Sequence, residues 1–496
     1  MTTPDVRTYG NWRKPTSPGI RGLGLAGTLV MFVGLLLVML MMFVSLFAAL
    51  GLGVLVALSL VPLLMRDKHG RNGVQWFTAR VAWSRGKTKG QHLYRSGPLG
   101  RVAAGTCKLP GLAAASRLYE AEDAYGRPFA VLTVPATNHH TVVLTCNADG
   151  ASLVDSNQVD TWVAYWGQWL AQLGHEPSLV SASVTVEAAP DTGERLRQEV
   201  FANISPDAPK LARHVLNEVV HGYPQGSAQL STRIALTYSG VARATGARRT
   251  AEEMAIELGT RLPGLSAGLQ MTGAGPASPM TALELTEAVR VAYDPSVAGF
   301  IEQARSEGGT ELTWDDAGPM ASQETWDHYR HDGAYSITWA MSEAPRGEVF
   351  SSVLHRMVQP HPDIIRKRVT LLYRPHDPAT SARLVERDRK DAMFRAKQAK
   401  VSNARDTVAV RAAEQTAQEE ATGAGLVRFA LLVTATVASA DELKLAASAV
   451  DNLSAGSRIL LRRAYGAQSA AFTAALPLGI VLPHHLKVPQ VVREAM

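Results

Sequence analysis

From Gly22 to Met65 the chain is Leu, Val, Met, Phe, Ala and Gly apart from Pro62, with Thr28, Ser45 and Ser59 as its polar positions and no charge at all. As one helix of ~44 residues it would reach ~66 Å, twice the ~30 Å of a bilayer core. The pattern therefore predicts two membrane spans folded back on each other, Leu23 to Phe43 and Phe47 to Met65, with a tight turn near Val44 to Leu46. Gly51 and Gly53 suit a close approach of the two helices. Arg7, Arg13, Lys14 and Arg21 precede the run, and Arg66, Lys68, Arg71, Arg80, Arg85, Lys87 and Lys89 follow it. Positive flanks stay on the cytoplasmic side, so both termini are expected there. The run is too long for a signal peptide, and no small-residue cleavage site follows it.

After the hairpin, Val74, Phe77 and Val81 recur at helical spacing through Gly73 to Arg85, with Trp76, Arg80, Trp83 and Arg85 around them. Aromatic and basic side chains at a membrane exit suit an interfacial helix in contact with lipid. A Gly-rich linker, Gly97 to Gly111, leads to the rest. Strands are predicted at Ser116 to Glu120, Phe129 to Thr133 and Thr141 to Cys146. A helix capped by Asp155 or Ser156 then carries an apolar stripe at Val159, Trp162, Val163, Trp166, Leu170 and Leu173, read as core-facing. Val180, Ala182, Val184 and Val186 alternate as a half-buried strand, and Leu230 to Tyr238 alternate as the next. Helices are expected at Asp207 to His221 and Arg249 to Leu262.

The Gly/Pro/Ser-rich stretch Gly273 to Pro279 marks a boundary. Beyond it, Thr281 to Tyr293 and Glu348 to Met357 read as helices, and Ser336 to Trp339 and Val369 to Tyr373 as strands. Ala379 to Glu420 is rich in Arg, Lys, Glu, Ala and Gln and reads as one long solvated helix or a helical pair broken near Ser402 and Asn403. A strand from Leu426 to Val437, a helix from Asp441 to Leu453 and a strand from Arg458 to Leu461 close the series. No internal sequence repeat is clear. The expected class is α+β: a basic arm (1–21), a transmembrane hairpin (22–65), a juxtamembrane helix and linker (66–112), and cytoplasmic α+β domains at 113–272 and 273–496, the second with a helical arm at 379–420.

The net charge of +6 is concentrated beside the apolar run, where it meets anionic lipid, so no nucleic-acid binding is expected. Two cysteines, Cys107 and Cys146, fit a reducing compartment and are too few for a metal cage. Gly22 to Gly27 spells a dinucleotide fingerprint, but it opens an apolar span rather than following a strand. Gly264-Leu-Ser-Ala-Gly268 spells a hydrolase elbow, but a helix and Pro263 precede it where a strand is required. No Walker A sequence is present. His328 and His331 lack further ligands, and the adjacent pairs His139-His140 and His484-His485 would point to opposite faces of a strand. Catalytic, cofactor and metal sites are therefore not expected, and the reading is non-enzymatic; the alternative from another class is a membrane-bound enzyme, for which Ser266 or His328 would be the only candidates.

The hairpin, Gly70-Arg71, Trp76, Arg80, Trp83, Arg85 and Tyr94 resemble the PrgI-like hairpin subunits of conjugative type IV secretion systems. The segment Leu461 to Gly479 resembles the stretch before the motor domain of VirB-type transfer ATPases, with Arg463, Tyr465, Gln468, Phe472, Leu476, Pro477 and Gly479 matching. The whole thus looks like an actinobacterial membrane protein in which such a hairpin is fused to the non-motor half of a transfer ATPase. That resemblance implies a scaffold in an oligomeric secretion complex, with other secretion subunits and a separate P-loop motor ATPase as partners. The seven matched residues would then be a docking segment, and the chain from Leu476 onward would be dispensable for folding. A second, patterned resemblance is to EccE-type components of type VII secretion, through the hairpin and the run Thr141 to Glu187.

Overall fold

The computed structural model describes residues 7–12, 24–65, 67, 69, 71–97, 100, 105–148, 150, 153–222, 228–242, 246–345, 347–398 and 404–486. Expectations that rest on Arg13, Lys14, Arg21, Gly22, Arg66, Lys68, Gly70 and the helix break at Ser402-Asn403 lie outside them. The chain is a mixed α+β structure built on one large antiparallel sheet.

The apolar run forms two helices, α1 (Gly24–Met42) and α2 (Leu46–Leu64), joined by a turn that ends at Ser45, whose side chain caps α2. They pack antiparallel, with Gly34 against Val56 and Gly53 facing Val38. Among the described helices, α2 is long and apolar enough to cross a membrane, while the apolar segment Gly27–Met42 is shorter. α3 (Gly73–Thr88) follows, started by a capping box in which Asn72 and Gln75 satisfy each other's backbone N–H groups. β1 (Leu93–Arg95) then enters the sheet.

The body consists of two units with the same order of elements. The first runs β2 (Arg117–Glu122), β3 (Pro128–Val134), β4 (His139–Cys146), α4 (Ser156–Leu173), β5 (Leu179–Pro190), α5 (Glu194–Asn203), α6 (Lys210–Gly222), β6 (Ala228–Ser239), α7 (Ala251–Ala267), β7 (Ala277–Pro279) and α8 (Ala282–Tyr293). After α9 (Ala298–Ser306), the second runs β8 (Ala321–Glu324), β9 (Tyr329–His331), β10 (Ala334–Glu343), α10 (His355–Val358), β11 (Arg366–Pro375), α11 (Pro378–Gln398), α12 (Ala404–Ala421), β12 (Val427–Val437), α13 (Leu443–Gly456), β13 (Leu460–Arg463) and α14 (Gln468–Ala474). The pairings recur as well. The first unit has the order β2-β3-β4-β6-β5, with β7 on β4; the second has β8-β9-β10-β12-β11, with β13 on β10. β5 and β11 pair antiparallel and join the halves into one sheet.

An approximate two-fold axis therefore passes between Thr185 and Thr370, which are register partners and bond hydroxyl to hydroxyl at 3.2 Å. Symmetry-related cross-strand pairs repeat the device: Thr141 with Thr237 at 3.0 Å and Ser336 with Thr436 at 2.8 Å. The first unit reaches past the Gly/Pro/Ser-rich stretch, because Ala277–Pro279 returns to pair with β4.

Strand alternation sorts the core onto two faces. Leu132, Val134, Val143, Ala235 and Leu432 point to one face, under α8, α14 and the segment Ala475 to Leu482. Phe129, Val131, Val142, Leu144, Ile234 and Leu236 point to the other, under α4 and α7. Ile337, Trp339, Leu431 and Val433 do the same under α10 and α13. β5, expected to be half-buried, is covered on both sides from Ser181 to Thr185 because it sits at the middle of the sheet.

Candidate functional site: the junction between the helical hairpin and the sheet

Both ends of the hairpin are tied to the body. Before it, Tyr9 pairs with Val349 in both directions at 2.8 Å, and its hydroxyl donates to Asp160 at 2.7 Å. Burial and that carboxylate push the Tyr9 hydroxyl up to about 12. Asn11 donates to Ala412 O and Thr416 in α12. An open groove of about 820 Å³ lies between Arg7, Thr8 and the polar face of α4. After the hairpin, α3 lies against the loop between β8 and β9.

That second contact is aromatic. The Trp83 ring meets Trp326 edge-on at 5.5 Å, and Trp326 stacks on Tyr465 at 5.9 Å. The Arg80 guanidinium sits 4.6 Å from the Trp326 ring centre and 5.4 Å from that of Trp83, while Lys87 Nζ lies 5.3 Å from Trp83. Gly466 N–H donates to Trp326 O at 2.8 Å. Gly466 has φ +69°, and a Cβ there would stand 2.5 Å from the Trp326 ring. Glycine is required on both counts. Cation–π contacts of this kind contribute ~0.5–1 kcal/mol each where exposed.

The residues expected at a membrane interface thus divide. Trp76 is 57% exposed, and beside it Phe77 and Val74 are also exposed, so this side of α3 is open to the surroundings, as is Arg85. Arg80 and Trp83 are instead engaged with the body.

The seven residues of the C-terminal segment divide too. Gln468 is fully buried and uses its amide as a strand would, accepting from Thr338 N at 2.8 Å and donating to Thr338 O at 3.3 Å. Phe472 is fully buried among Tyr293, Tyr329 and His331, with ring centres at 5.1, 5.4 and 4.8 Å. Leu476 and Pro477 are buried, and the positive φ of Gly479 brings its backbone onto Thr141 and Thr237. Thr237 donates to Gly479 O at 3.1 Å. Tyr465 is 37% exposed, and half-buried Arg463 lies over the Trp339 ring at 5.6 Å. The described start of the segment expected to be dispensable is core: Leu476, Leu478, Ile480 and Val481 are all buried. Short apolar residues around Pro and Gly carry no periodic signal, so this burial was not legible.

The remaining motif candidates have structural places. Ser266 lies inside α7, where its hydroxyl donates to Pro263 O at 3.1 Å. His328 pairs with Asp327 at 3.0 Å, whereas His331 is buried and bonds Ser336 at 2.7 Å and Tyr293 O. His139 meets His484 at 5.0 Å between rings, joining one member of each histidine pair. Cys107 and Cys146 are free thiols, and burial pushes Cys146 up to about 12. Trp326 escaped the sequence reading because the short hairpin β8–β9 has no alternating run to reveal it.

A family model described as "Domain of unknown function (DUF8461)" matches residues 16–75, which cover the apolar hairpin and the start of α3. No curated protein matches the chain.

Proposed function

We propose that this chain is a membrane-anchored, non-catalytic docking subunit of a conjugation-like secretion machine. α1 and α2 cross the cytoplasmic membrane as a hairpin, both termini stay cytoplasmic, and the body offers surfaces to a separate P-loop motor ATPase. One observation carries the reading. The two apolar helices stand clear of the body, with Leu29, Phe32, Leu36, Phe43, Phe47 and Leu55 all more than half exposed, yet both ends of the hairpin are tied back to that body. Helices that are apolar all round and unburied need lipid around them. Exposed Trp76 and Phe77 then sit at headgroup level.

The resemblance at both ends supports the machine assignment. Trp83 and Arg80 of the PrgI-like segment lie against Tyr465 and Gly466 of the ATPase-like segment through Trp326. A motor docked beside Tyr465 would sit next to the membrane exit. Reporter fusions at Thr3 and after Tyr94 test the anchor, and both should report the cytoplasm; an external signal from the second ends the hairpin reading. Detergent-solubilised full-length protein should capture a separate transfer-type P-loop ATPase. Tyr465→Ala should weaken capture about tenfold, as for an interface aromatic contributing ~1.4 kcal/mol. Undiminished capture would move the docking surface to α11 and α12.

A further inference from the structure

The two-fold axis of the body makes one cluster stand out. On the face that carries α8, Glu187 of β5 is buried between Arg366 and Arg368 of β11, with Arg233 of β6 beside it. Arg368 Nε lies 2.7 Å from Glu187 Oε2, and Arg366 binds the other carboxylate oxygen. Burial alone would raise this carboxyl, but Arg368, Arg366 and Arg233 together hold it far below its usual range. One carboxylate cannot satisfy three guanidiniums. Arg366 Nε, Arg368 Nη1 and Arg233 Nε are buried with no acceptor in the protein, and Arg366 and Arg368 are only 9% and 2% exposed.

Glu187, Arg233 and Arg366 border a cavity of about 110 Å³ between β5, β6, β11 and helices α8 and α9, while the Arg368 guanidinium lies over the Phe472 ring at 5.5 Å. Arg305 and Glu287 also line it, paired at 2.5 Å, with Thr310 on the second Glu287 oxygen. Glu302 lines it as well and accepts from Thr192. Three guanidiniums, Arg233, Arg305 and Arg366, thus line the cavity with three carboxylates, and Arg368 adds a fourth guanidinium on the Glu187 side.

The fold does not require this arrangement. The axis that exchanges Thr185 and Thr370 carries the register pair Glu187–Arg368 onto Leu372–Ser183, Arg366 onto Ser181 and Arg233 onto Leu432. The second copy is built from small and apolar side chains at the same places. Burying unpaired guanidinium costs free energy that a structural role would avoid.

We infer that the cavity is a binding site for one phosphate group, either free phosphate or the phosphate of a small monoester. Guanidinium forks match the oxygens of a phosphate, and the volume, about that of three or four waters, admits a phosphate group but no nucleoside. The test is calorimetric titration of the full-length protein in detergent with inorganic phosphate and with glycerol 3-phosphate at constant ionic strength. Saturable binding of one equivalent with Kd of ~1 mM or below is expected. Tighter binding of the ester identifies a monoester site, and equal or tighter binding of the inorganic ion identifies free phosphate. Arg233→Gln, with an unchanged unfolding midpoint, should weaken binding at least tenfold. If that variant does not fold, Arg233→Lys keeps the charge, loses the fork and should show the same direction of change. Absence of saturable heat with both ligands in the wild type, or equal affinity in a folded Arg233 variant, overturns the site.

Discussion

At the scale of single residues, burial decides what the titratable groups do. His331 is fully buried, and its pKa falls to about 4 because burial disfavours the imidazolium and outweighs the opposing hydrogen bond to Tyr293 O, with Arg368 adding a smaller push down. His140 is likewise lowered to about 4, by burial and then Arg249, and His139 to about 3, by burial and then His484. The unfolded chain would take up these protons near pH 6.5. Between pH 6.5 and 4 the unfolded state therefore binds more protons than the native one, and stability falls as the pH drops through that window. For a buried histidine of this kind the loss at pH 5 is on the order of 1–2 kcal/mol. Thermal midpoints measured from pH 7 to pH 5 should decline, and His331→Gln should flatten the slope while His139 and His140 keep part of it. An unchanged slope in that variant would remove His331 from the account.

At the scale of elements, α7 shows how a local rule can be overridden. The helix was expected over Arg249 to Leu262, just short of Pro263, yet α7 runs on to Ala267. A proline removes the N–H that would bond the carbonyl four residues back. Here that carbonyl, on Gly259, accepts instead from Ala124 N at 3.1 Å, in the turn between β2 and β3. The helical arm at 379–420 resolves the other way, as the pair α11 and α12. The chain after α14 is the larger surprise. Deleting Leu476 to Met496 removes four buried aliphatic side chains, each worth ~2–5 kcal/mol, against a total stability of ~5–15 kcal/mol. The truncated protein should show no cooperative unfolding transition in denaturant, whereas Tyr465→Ala should keep one. A folded truncation would mean that this segment only rests on the sheet.

At the scale of the whole molecule, the two units share their central strands. The β5–β11 ladder runs from Ala182–Tyr373 to Ala188–Lys367, and Glu187 is clamped by arginines from the other half. Neither unit can leave without exposing a full row of backbone groups and an unpaired carboxylate. Unfolding in denaturant should therefore be a single transition, with tryptophan fluorescence and circular dichroism coinciding, despite the two-unit architecture. Two separated transitions would show that the halves are thermodynamically independent.

Periodicity alone was enough for the hairpin, α3, α4, α6, α8 and most strands, because 3.6-residue and two-residue repeats are local consequences of which side must be buried. The placement of α1 and α2 follows from an apolar run too long for one helix of ordinary length, interrupted at Ser45. Tertiary structure decided the rest. Whether β5 is half-buried or central depends on its partner β11, nearly two hundred residues away. The topological repeat left no sequence repeat, since interchangeable apolar residues satisfy the same core positions. Trp83 meets Trp326, Phe472, read as a docking anchor, is buried against Tyr293, and Arg366 meets Glu187. Each of these outcomes depends on long-range strand register, which no local pattern encodes.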